Sequence, residues 1–280
     1  MKSIGIIGNG FVGNAIYEGL KEHYSILVYD KDATKSKNTF EEVSDQKIIF
    51  VCVPTPSTIQ GHFDLSIIKS VIGSLPKNKT IIIKSTILPS SAENIINLYP
   101  EQNFVFNPEF LTERTAVKDF KNQKRIVLGG KQKQTSIVED MYKKVFPDCL
   151  YIKTDFKTAC FIKYFCNCFF AAKVSLMNEF YQVAEKENID WQTALEGLLS
   201  SEWVNPMHTQ VPGPDGDYGF GGKCFPKDIS AFMNYIALLG IDPLMMSATW
   251  SKNLQVRKNK NWLTIDGAIS KKKEKKNEII

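Results

Sequence analysis

Residues 3–13 read SIGIIGNGFVG, a short apolar run that leads into a glycine-rich turn and then into an amphipathic segment. This order predicts a β-strand, a tight turn and the start of a helix. In the spacing Gly-x-Gly-x-x-Gly, the first glycine permits the turn, the second lets the backbone approach a pyrophosphate, and the third lets helix and strand pack closely. The helix N-terminus adds N–H groups and a positive dipole end. The stretch therefore predicts a dinucleotide-binding turn made by Gly8, Gly10, Phe11, Val12 and Gly13.

An acidic residue stands about 20 residues beyond this turn, at the spacing that ribose recognition requires. Asp30 ends the second predicted strand, where its carboxylate can accept hydrogen bonds from ribose hydroxyls. A carboxylate in that place would repel a 2′-phosphate, which favours NAD over NADP. Lys31 and Lys35 lie nearby and oppose this preference, and Lys35 is included among the predicted cofactor contacts.

Short apolar runs alternate with amphipathic stretches over the first half of the chain. The runs predicted as strands are Ser3–Ile7, Ile26–Tyr29, Ile48–Val53, Thr80–Lys84, Asn103–Phe106 and Arg125–Leu128. The helices predicted between them include Phe11–Lys21, Leu65–Leu75 and Ser90–Leu98. Strands that alternate with helices favour a parallel sheet with right-handed crossovers. We therefore predict an α/β fold in which residues 1–155 form a doubly wound parallel sheet of the Rossmann type that binds NAD.

The strand pattern stops near residue 155, and longer helical patterns follow. Helices are predicted over Phe156–Glu187, Trp191–Leu199, Pro226–Leu239 and from Leu244 to about Leu263. We predict a mostly helical central domain over residues 156–265, which serves catalysis and dimerisation, and a basic, disordered tail over residues 266–280. A Gly/Pro/Asp-rich loop at Val211–Asp217 interrupts the helical half, and such loops often carry function.

The composition is that of a globular protein. Of 280 residues, 43% are hydrophobic and 23% are charged, which excludes a disordered or collagen-like chain. The net charge of +5 is concentrated in residues 251–280, which hold nine Lys/Arg and three Asp/Glu. A short lysine run of this kind favours a solvated tail over nucleic-acid binding. Lys163 and Lys173 interrupt the most apolar region, Thr158–Phe180, so no membrane span is expected.

The six cysteines and three histidines show no zinc-binding pattern, because no Cys-x-x-Cys pair is present. We therefore expect no metal site. Cys160, Cys166 and Cys168 lie in the apolar stretch and are predicted to be buried small hydrophobes. The N-terminus reaches its glycine turn too early to be a secretory signal. Reduced thiols in a cytoplasmic protein are the expectation.

Residues 219–228, GFGGKCFPKD, form the most specific segment of the chain. The glycines leave the backbone free to approach a ligand, and Pro226 suits the first turn of a helix. Cys224 would then lie at a helix N-terminus beside lysines, where the thiolate is favoured. Asp228 lies one helical turn further on, on the same face. Without further support, an inert loop cysteine remains the alternative.

Three other groups have similar features. Glu109 and Glu113 follow a predicted strand and an Asn-Pro turn, at the sheet edge where open α/β folds bind ligands. Lys163 and Asn167 share one face of the long apolar helix, where a lysine is costly unless it is paired or functional. Thr86 ends another strand at the same predicted edge. The alternatives are a solvated helical turn for the glutamates, a surface face for Lys163 and Asn167, and a plain turn residue for Thr86.

In combination, these segments resemble the nucleotide-sugar dehydrogenases that make uronic acids, the UDP-glucose 6-dehydrogenase family. The matching pieces, in the family's order, are GNGFVG at 8–13, VPTP at 53–56, KST at 84–86, NPEFLTE at 107–113, Lys163 with Asn167, and GFGGKCFPKD at 219–228. The resemblance implies a two-step, NAD-dependent oxidation of a sugar C6 alcohol to a carboxylate.

The resemblance also implies a role for each matched residue. Cys224 would capture the aldehyde as a thiohemiacetal and carry the later thioester. Lys163 and Asn167 would stabilise the oxyanion at C6. Thr86, as a cofactor contact too, would position a water with Asp228, while Glu109 would be the general base for hydrolysis and Glu113 would lie near the nicotinamide. The substrate contacts would be Phe110, Leu111, Lys163, Asn167, Gly219, Phe220 and Gly221.

The sequence departs from the family's pattern in two places. Family members carry a third, C-terminal α/β domain that holds much of the nucleotide, and this chain stops soon after the central helices. The family also places an Arg-Ile-Gly segment before the glycine-rich motif, whereas residues 203–210 here contain no arginine and offer only His208. Nucleotide recognition is therefore the weak point of the resemblance.

Two other functions stay open. One is a non-catalytic NAD-binding scaffold subunit. The other is a β-hydroxyacid dehydrogenase, which shares the two-domain layout and the Lys/Asn spacing and needs no cysteine. A homodimer through the long apolar helix is expected in any case, because that helix is too hydrophobic for a solitary surface.

Overall fold

The computed structural model describes residues 3–56, 64–265 and 268. The chain divides into two compact units, the first made of Met1–Thr55 with Leu65–Lys163 and the second of Pro56–Asp64 with Tyr164–Ile280. The division falls inside one long helix, eight residues beyond the predicted boundary. The predicted tail at residues 266–280 lies outside the described residues, apart from Ala268.

The first unit is built on a seven-stranded sheet. Its strands are β1 Ser3–Ile7, β2 Ser25–Tyr29, β3 Ile48–Val51, β4 Thr80–Ile83, β5 Asn103–Phe106, β6 Arg125–Gly130 and β7 Leu150–Thr154. Their order across the sheet is β2-β1-β3-β4-β5-β6-β7. Because β1 pairs with β2 on one side and β3 on the other, the strand order reverses at β1. The crevice at the carboxyl end of this switch point is where open α/β sheets bind ligands.

Helices cover both faces of this sheet. They are α1 Phe11–Leu20, α2 Phe40–Ser44, α3 Ser66–Gly73, α4 Pro89–Leu98, α5 Ala116–Lys121, α6 Gln132–Lys143 and the first part of α7 Phe156–Glu187. Adjacent strand residues face opposite cores: Ile83 packs with α3 and α4, whereas Ile82 packs with α1, α5 and α6. This alternation is what a parallel strand buried on both faces requires. The predicted Rossmann-type architecture is confirmed.

The structure corrects the sequence-based expectation in several details. The sheet is not wholly parallel, because β6 runs antiparallel to β5. Strand β7 was not predicted, and the helices α2, α5 and α6 add to the three helices named from the sequence. The helix predicted from Leu244 to about Leu263 ends earlier, at Val256, because Arg257 adopts an extended conformation.

The second unit is helical among its described residues. It holds the later part of α7 with α8 Trp191–Leu199, α9 Phe225–Leu238 and α10 Leu244–Val256, followed by a 3-10 turn at Asn261–Leu263. One small core joins Ala171 of α7 to Ile229 of α9, with Phe220 from the glycine-rich loop buried between them. A second core packs α7 against α8 through Met177 and Leu195. The loop that precedes Cys224 is therefore part of the hydrophobic core of this unit.

Helix α7 is long and apolar enough, by length and composition, to cross a membrane. The core helix of a soluble protein meets the same criteria. Lys163 on this helix is buried and paired with Glu109, and Lys173 donates to the backbone carbonyls of Asn205 and Met207. Both lysines are thus engaged by protein groups.

Candidate active site

In the glycine turn at residues 8–13, Gly8 and Gly13 are tightly packed, whereas Gly10 is open. Gly8 has a φ of +96°, and a Cβ atom there would lie 2.7 Å from the Cys52 carbonyl oxygen. A Cβ on Gly13 would lie 1.9 Å from the Gly8 carbonyl oxygen. In contrast, a Cβ on Gly10 would meet no atom within 4 Å. Gly8 and Gly13 are therefore required by packing, whereas Gly10 leaves an accessible stretch of backbone.

Helix α1 begins directly at this open backbone. Gly10 is its N-cap, and none of the described side chains caps its first turn. The amides of Phe11 and Val12 and the positive end of the helix dipole can therefore serve an anion. These features fit the pyrophosphate of a dinucleotide.

The Asp30 carboxylate is held beside the glycine turn. Its Oδ2 accepts the Asn9 N–H at 2.6 Å, and its Oδ1 accepts the Asp32 N–H at 2.9 Å. The Asn9 side chain also donates to the Lys35 carbonyl oxygen at 2.7 Å. The Lys35 ammonium itself lies 3.3 Å from Asp32 Oδ2, so Asp32 neutralises the cation that would otherwise favour a 2′-phosphate. The turn and the oriented carboxylate together fit NAD.

A buried asparagine links the carboxyl ends of β4 and β5. Asn107 Oδ1 accepts from Lys84 Nζ at 2.9 Å and from the Tyr142 hydroxyl at 2.8 Å, while its Nδ2 donates to the Val127 carbonyl oxygen at 2.8 Å. The adjacent Thr86 is half-buried, and its carbonyl oxygen accepts from the Thr55 hydroxyl at 2.6 Å. The network fixes the ends of both strands at the edge where a ligand is expected.

Lys84 is a functional candidate that the sequence reasoning missed. Only 6% of its surface is exposed, and burial lowers the pKa of its ammonium to about 8. The sequence motif at residues 84–86 points to Thr86 only. The signal that could have identified Lys84 is its place directly after the apolar run Ile81–Ile83, because a residue at the end of a buried strand tends to be buried too.

Glu109 and Lys163 form a buried ion pair. Lys163 Nζ donates to Glu109 Oε1 at 2.8 Å, and Oε2 accepts the Leu111 N–H at 2.8 Å. Burial acts to raise the pKa of the Glu109 carboxyl, but the Lys163 ammonium and the Leu111 N–H outweigh burial and hold the pKa below its ordinary value. Glu109 is therefore ionised at neutral pH, and the Phe110 ring lies 5.6 Å from the same ammonium.

Glu113 lies apart from this pair, exposed, in the 3-10 turn Glu113–Thr115. It lines a shallow cavity together with Phe11 and Asn14 from the first turn of α1. The structure thus places Glu113 next to the helix that follows the glycine turn.

In the second unit, Cys224 is the N-cap of α9. Its carbonyl oxygen accepts the Asp228 N–H at 2.8 Å, so the thiol and the carboxylate belong to one helical turn. The Asp228 carboxylate is 1% exposed. It accepts from Asn167 Nδ2 at 2.6 Å and from the Lys227 ammonium. Asn167, Asp228 and Cys224 are therefore brought together, and Lys227 is directed to the carboxylate.

Asparagines anchor the glycine-rich loop before Cys224. The N–H groups of Gly219, Phe220 and Gly222 donate to the side chains of Asn178, Asn253 and Asn261. A Cβ on Gly219 would lie 2.3 Å from Asn253 Oδ1, and one on Gly221 would lie 2.4 Å from Arg257 Nη2. These two glycines thus face the protein. Sequence reasoning missed the three asparagines, since no local pattern marks them.

His208 packs between two aromatic rings of the second unit. Its ring centroid lies 4.9 Å from that of Phe170 and 5.3 Å from that of Phe225. Burial and the nearby Lys173 lower the pKa of the imidazole. The side chain is therefore held by packing next to the residue that follows Cys224.

The doubly wound sheet with its glycine turn and Asp30, followed by the helical unit with Cys224 at a helix N-terminus, has the two-domain architecture of an NAD-binding protein. The chain belongs to the UDP-glucose/GDP-mannose dehydrogenase family. Residues 15–146 match the family's NAD binding domain, and residues 157–255 match its central domain.

Comparison with individual relatives agrees with this family assignment. The chain is 34% identical over 252 residues to the UDP-glucose 6-dehydrogenase of Rickettsia bellii, a match that covers 85% of this chain and 56% of the relative. It is 31% identical over 236 residues to the GDP-mannose 6-dehydrogenase of Pseudomonas aeruginosa, which covers 77% of this chain and 53% of the relative. The chain thus spans little more than half the length of these relatives.

A solved structure shares the fold. The UDP-glucose dehydrogenase of Pyrobaculum islandicum superposes with a TM-score of 0.82 at 23% identity, over 91% of this chain and 68% of that one.

Proposed function

We propose that the chain oxidises the C6 alcohol of a nucleotide sugar to a carboxylate, with UDP-glucose to UDP-glucuronate as the reaction, and that Cys224 is the nucleophile. One observation carries the proposal: Cys224 is at the N-cap position of α9, one helical turn before a buried Asp228 carboxylate that Asn167 and Lys227 hold. A nucleophile and a carboxylate one helical turn apart suit acyl chemistry on sulfur.

NAD would be held by the backbone around Gly10, the first turn of α1 and the Asp30 carboxylate, and when bound it supplies the acceptor for hydride. The chain's own residues have to bind the sugar, hold the reacting carbon and move protons. Because the oxidation removes four electrons, the carbon must be kept in the site between its two stages.

Cys224 would hold the reacting carbon in the site through a covalent bond. After the alcohol has lost a hydride and a proton, the thiolate adds to the aldehyde carbon to form a C–S bond, and the carbonyl oxygen takes up a proton to give a thiohemiacetal. Loss of a second hydride and of the hydroxyl proton yields a thioester. Water then adds to the thioester carbon, the C–S bond breaks, and the carboxylate leaves with the thiol regenerated. A position at a helix N-terminus is one that generally favours the thiolate form which the addition needs.

Lys163 and Asn167 would stabilise the negative charge that develops on the C6 oxygen. Lys163 is paired with Glu109 through a 2.8 Å contact, and this contact couples the two proposed roles. When the ammonium turns to the oxyanion, Glu109 loses the cation that holds its pKa low, and its strength as a base rises. Glu109 then accepts a proton from the attacking water.

Thr86 and Asp228 would position that water, and Glu113 would lie close to the nicotinamide. The sugar would contact Phe110, Leu111 and the backbone of the glycine-rich loop, Gly219 to Gly222.

The test is turnover by the purified protein with NAD and UDP-glucose, with GDP-mannose as a second substrate. Two NADH should form per sugar. Cys224→Ser should stop the sequence partway, whereas the matched variant Cys166→Ser, on α7 of the same unit, should retain full turnover. Failure to turn over any nucleotide sugar would contradict the proposal.

The same experiment separates the two alternatives. One NADH per turnover and full activity in Cys224→Ala would select a β-hydroxyacid dehydrogenase. A thiol that titrates near its unperturbed pKa of about 8.5 and does not respond to NAD would select a non-catalytic scaffold.

We also propose a homodimer through α7. An apolar groove of about 1040 Å³ runs along this helix in the second unit, lined by Phe169, Leu176, Phe180, Trp191, Trp203 and Met245 among others. The Trp203 side chain is 94% exposed, and a monomer rarely leaves such a patch uncovered. Sedimentation equilibrium should give a dimer, and Phe169→Glu should dissociate it. A monomer at micromolar concentration would contradict the prediction.

A further inference from the structure

We propose that Asn253 is a positioning residue for the loop that leads to Cys224, and that it sets the backbone path at which the sugar contacts residues 219–222. The catalytic consequence rests on the proposed function, but the structural role does not. Asn253 lies on α10, and none of the sequence motifs that predict the site includes it.

Asn253 contacts the loop through both ends of its amide. Its Oδ1 accepts the Phe220 N–H at 2.7 Å, and its Nδ2 donates to the Phe220 carbonyl oxygen at 3.0 Å. The side chain is fully buried, with 0% exposure. A single planar amide thus engages both backbone groups of one residue, which only a side chain of this length with a donor and an acceptor can do.

Gly219 and Asn253 fit each other. Gly219 has a φ of +64°, and a Cβ atom there would lie 2.3 Å from Asn253 Oδ1. Any other residue at position 219 would both strain the backbone and displace the amide. The glycine is therefore needed to let Asn253 reach Phe220.

The hydrogen bonds of the loop determine which of its faces a ligand can use. The Gly219 and Gly222 N–H groups donate to Asn178 Oδ1 at 3.0 Å and Asn261 Oδ1 at 2.9 Å, so with Phe220 three loop amides are engaged by side-chain oxygens. A Cβ on Gly222 would meet no atom within 4 Å. The loop thus presents open backbone at Gly222, two residues before Cys224, and we assign the closest approach of the sugar to this point.

Helix α10 fixes the preceding loop as well. Arg257, one turn after Asn253, is 4% exposed and donates to Asp215 Oδ2 at 2.7 Å and to the Asn259 carbonyl oxygen at 2.9 Å. The end of α10 therefore holds both the 211–217 loop and the glycine-rich loop, and Asn253 is its direct contact with the latter.

The experiment compares Asn253→Leu, which removes both hydrogen bonds, with Asn253→Asp, which keeps the acceptor for the Phe220 N–H. Gln255→Ala, exposed on the same helix, is the control. The full chain is used in each case. Peptide-level hydrogen exchange over residues 218–224 and the rate of Cys224 alkylation by iodoacetamide require no turnover. The KM for UDP-glucose, kcat and the dissociation constant of NAD complete the set.

Asn253→Leu should exchange about tenfold faster over residues 218–224 and raise the KM for UDP-glucose by about tenfold, as the loss of buried hydrogen bonds predicts. It should alter the rate of Cys224 alkylation and leave NAD affinity unchanged. In Asn253→Asp, the carboxylate faces a carbonyl oxygen, so its protonated form alone can replace the lost donor. The KM of this variant should therefore return toward the wild-type value as the pH is lowered, which a merely structural defect would not produce.

Unchanged exchange over residues 218–224 in a folded Asn253→Leu protein would overturn the proposal. If Asn253→Leu does not fold, the pH dependence of Asn253→Asp decides, and a KM offset from wild type that is independent of pH would overturn it. If wild-type protein turns over no nucleotide sugar, the proposed function fails on its own. The exchange and alkylation results then decide the role of Asn253, and wild-type values for both in Asn253→Asp and Asn253→Leu would overturn it.

Discussion

Lys163 Nζ lies 2.8 Å from Glu109 Oε1, and the two side chains are only 4% and 6% exposed. This pair joins the first part of α7 to the loop after β5 within the first unit. A buried charge is tolerated only while its partner is present, because removal of one member leaves the other desolvated and uncompensated. Lys163 is proposed to stabilise the C6 oxygen, and Glu109 is proposed to activate water. In the structure these two side chains form an ion pair with each other.

Removal of either member of this pair should strongly destabilise the first unit. We expect Lys163→Met and Glu109→Gln each to lower the free energy of unfolding by about 3–5 kcal/mol, and the double variant to lose less than the sum. Urea unfolding of the four proteins measures this coupling. Lys157→Met, on the same helix, is the control, because Lys157 and Glu93 are exposed and 3.9 Å apart. Additive losses would show that the two charges do not stabilise each other.

Acid should lower the free energy of unfolding, because it protonates the Glu109 carboxylate. The pKa of Glu109 is below the ordinary value of 4.5 in the folded state, so the folded protein binds fewer protons there than the unfolded chain does. The stabilisation is present in full above pH 4.5 and is lost as the pH falls below it. Urea midpoints of wild type should therefore fall more steeply than those of Glu109→Gln on acidification. Parallel curves would contradict this assignment.

Lys84 should also make the stability rise with pH, but in the alkaline range. Its folded pKa of about 8 lies below the ordinary 10.5, so below pH 8 both states are protonated and the cost of burying the ammonium is present in full. Between these values the unfolded chain binds more protons, and stability rises with pH. The advantage of Lys84→Met over wild type should therefore shrink by about 3 kcal/mol across this range. Lys77→Met, at an exposed position, should show no such change.

Local pattern was sufficient to predict most of the sheet and the cofactor turn. The runs at Ser3–Ile7 and Asn103–Phe106 hold no polar side chain after their first residue, and their later residues are buried on both faces of the sheet. Strand β7 was missed because LYIKT is mixed in polarity, and α6 was missed because its apolar residues are few. The reversed direction of β6 depends on the connection before it, which no strand pattern encodes.

The candidate site was predictable only in part, for a different reason. Cys224 and Asp228 share one helical turn, so their proximity follows from spacing alone. The contact of Asn167 with Asp228 joins residues 61 positions apart, and that of Asn253 with Phe220 joins residues 33 apart. A single sequence contains no signal for such pairs, because a buried asparagine looks like an exposed one until its partner is known.

Alanine variants at two glycines of the turn should separate an effect on NAD binding from an effect on folding. Gly13→Ala places a Cβ 1.9 Å from the Gly8 carbonyl oxygen, so it should destabilise the first unit by several kcal/mol, roughly 3 or more. Gly10→Ala meets no atom and should fold normally, yet it should weaken NAD about tenfold by covering the backbone that faces the pyrophosphate. Thermal unfolding and NAD titration measure the two effects. Gly197→Ala, in α8 with nothing near its Cβ, is the control: it should leave NAD affinity unchanged and stabilise its helix by at most about 1 kcal/mol. NAD affinity equal to wild type in Gly10→Ala would show that the cofactor does not bind against this backbone.

Coenzyme preference should depend on Asp30 and less on the neighbouring Asp32. Asp30 is oriented by the Asn9 and Asp32 N–H groups, so its outward lone pairs are available to a ribose. Asp30→Asn should weaken NAD by about tenfold and bring NADP affinity closer to that of NAD, because the charge that repels a 2′-phosphate is removed. Asp32→Asn, which releases Lys35 from its 3.3 Å ion pair, should improve NADP binding and leave NAD binding unchanged. Titration of both coenzymes against wild type and the two variants measures this directly, and an unaltered NAD-to-NADP ratio in Asp30→Asn would contradict the assignment of Asp30 to the ribose.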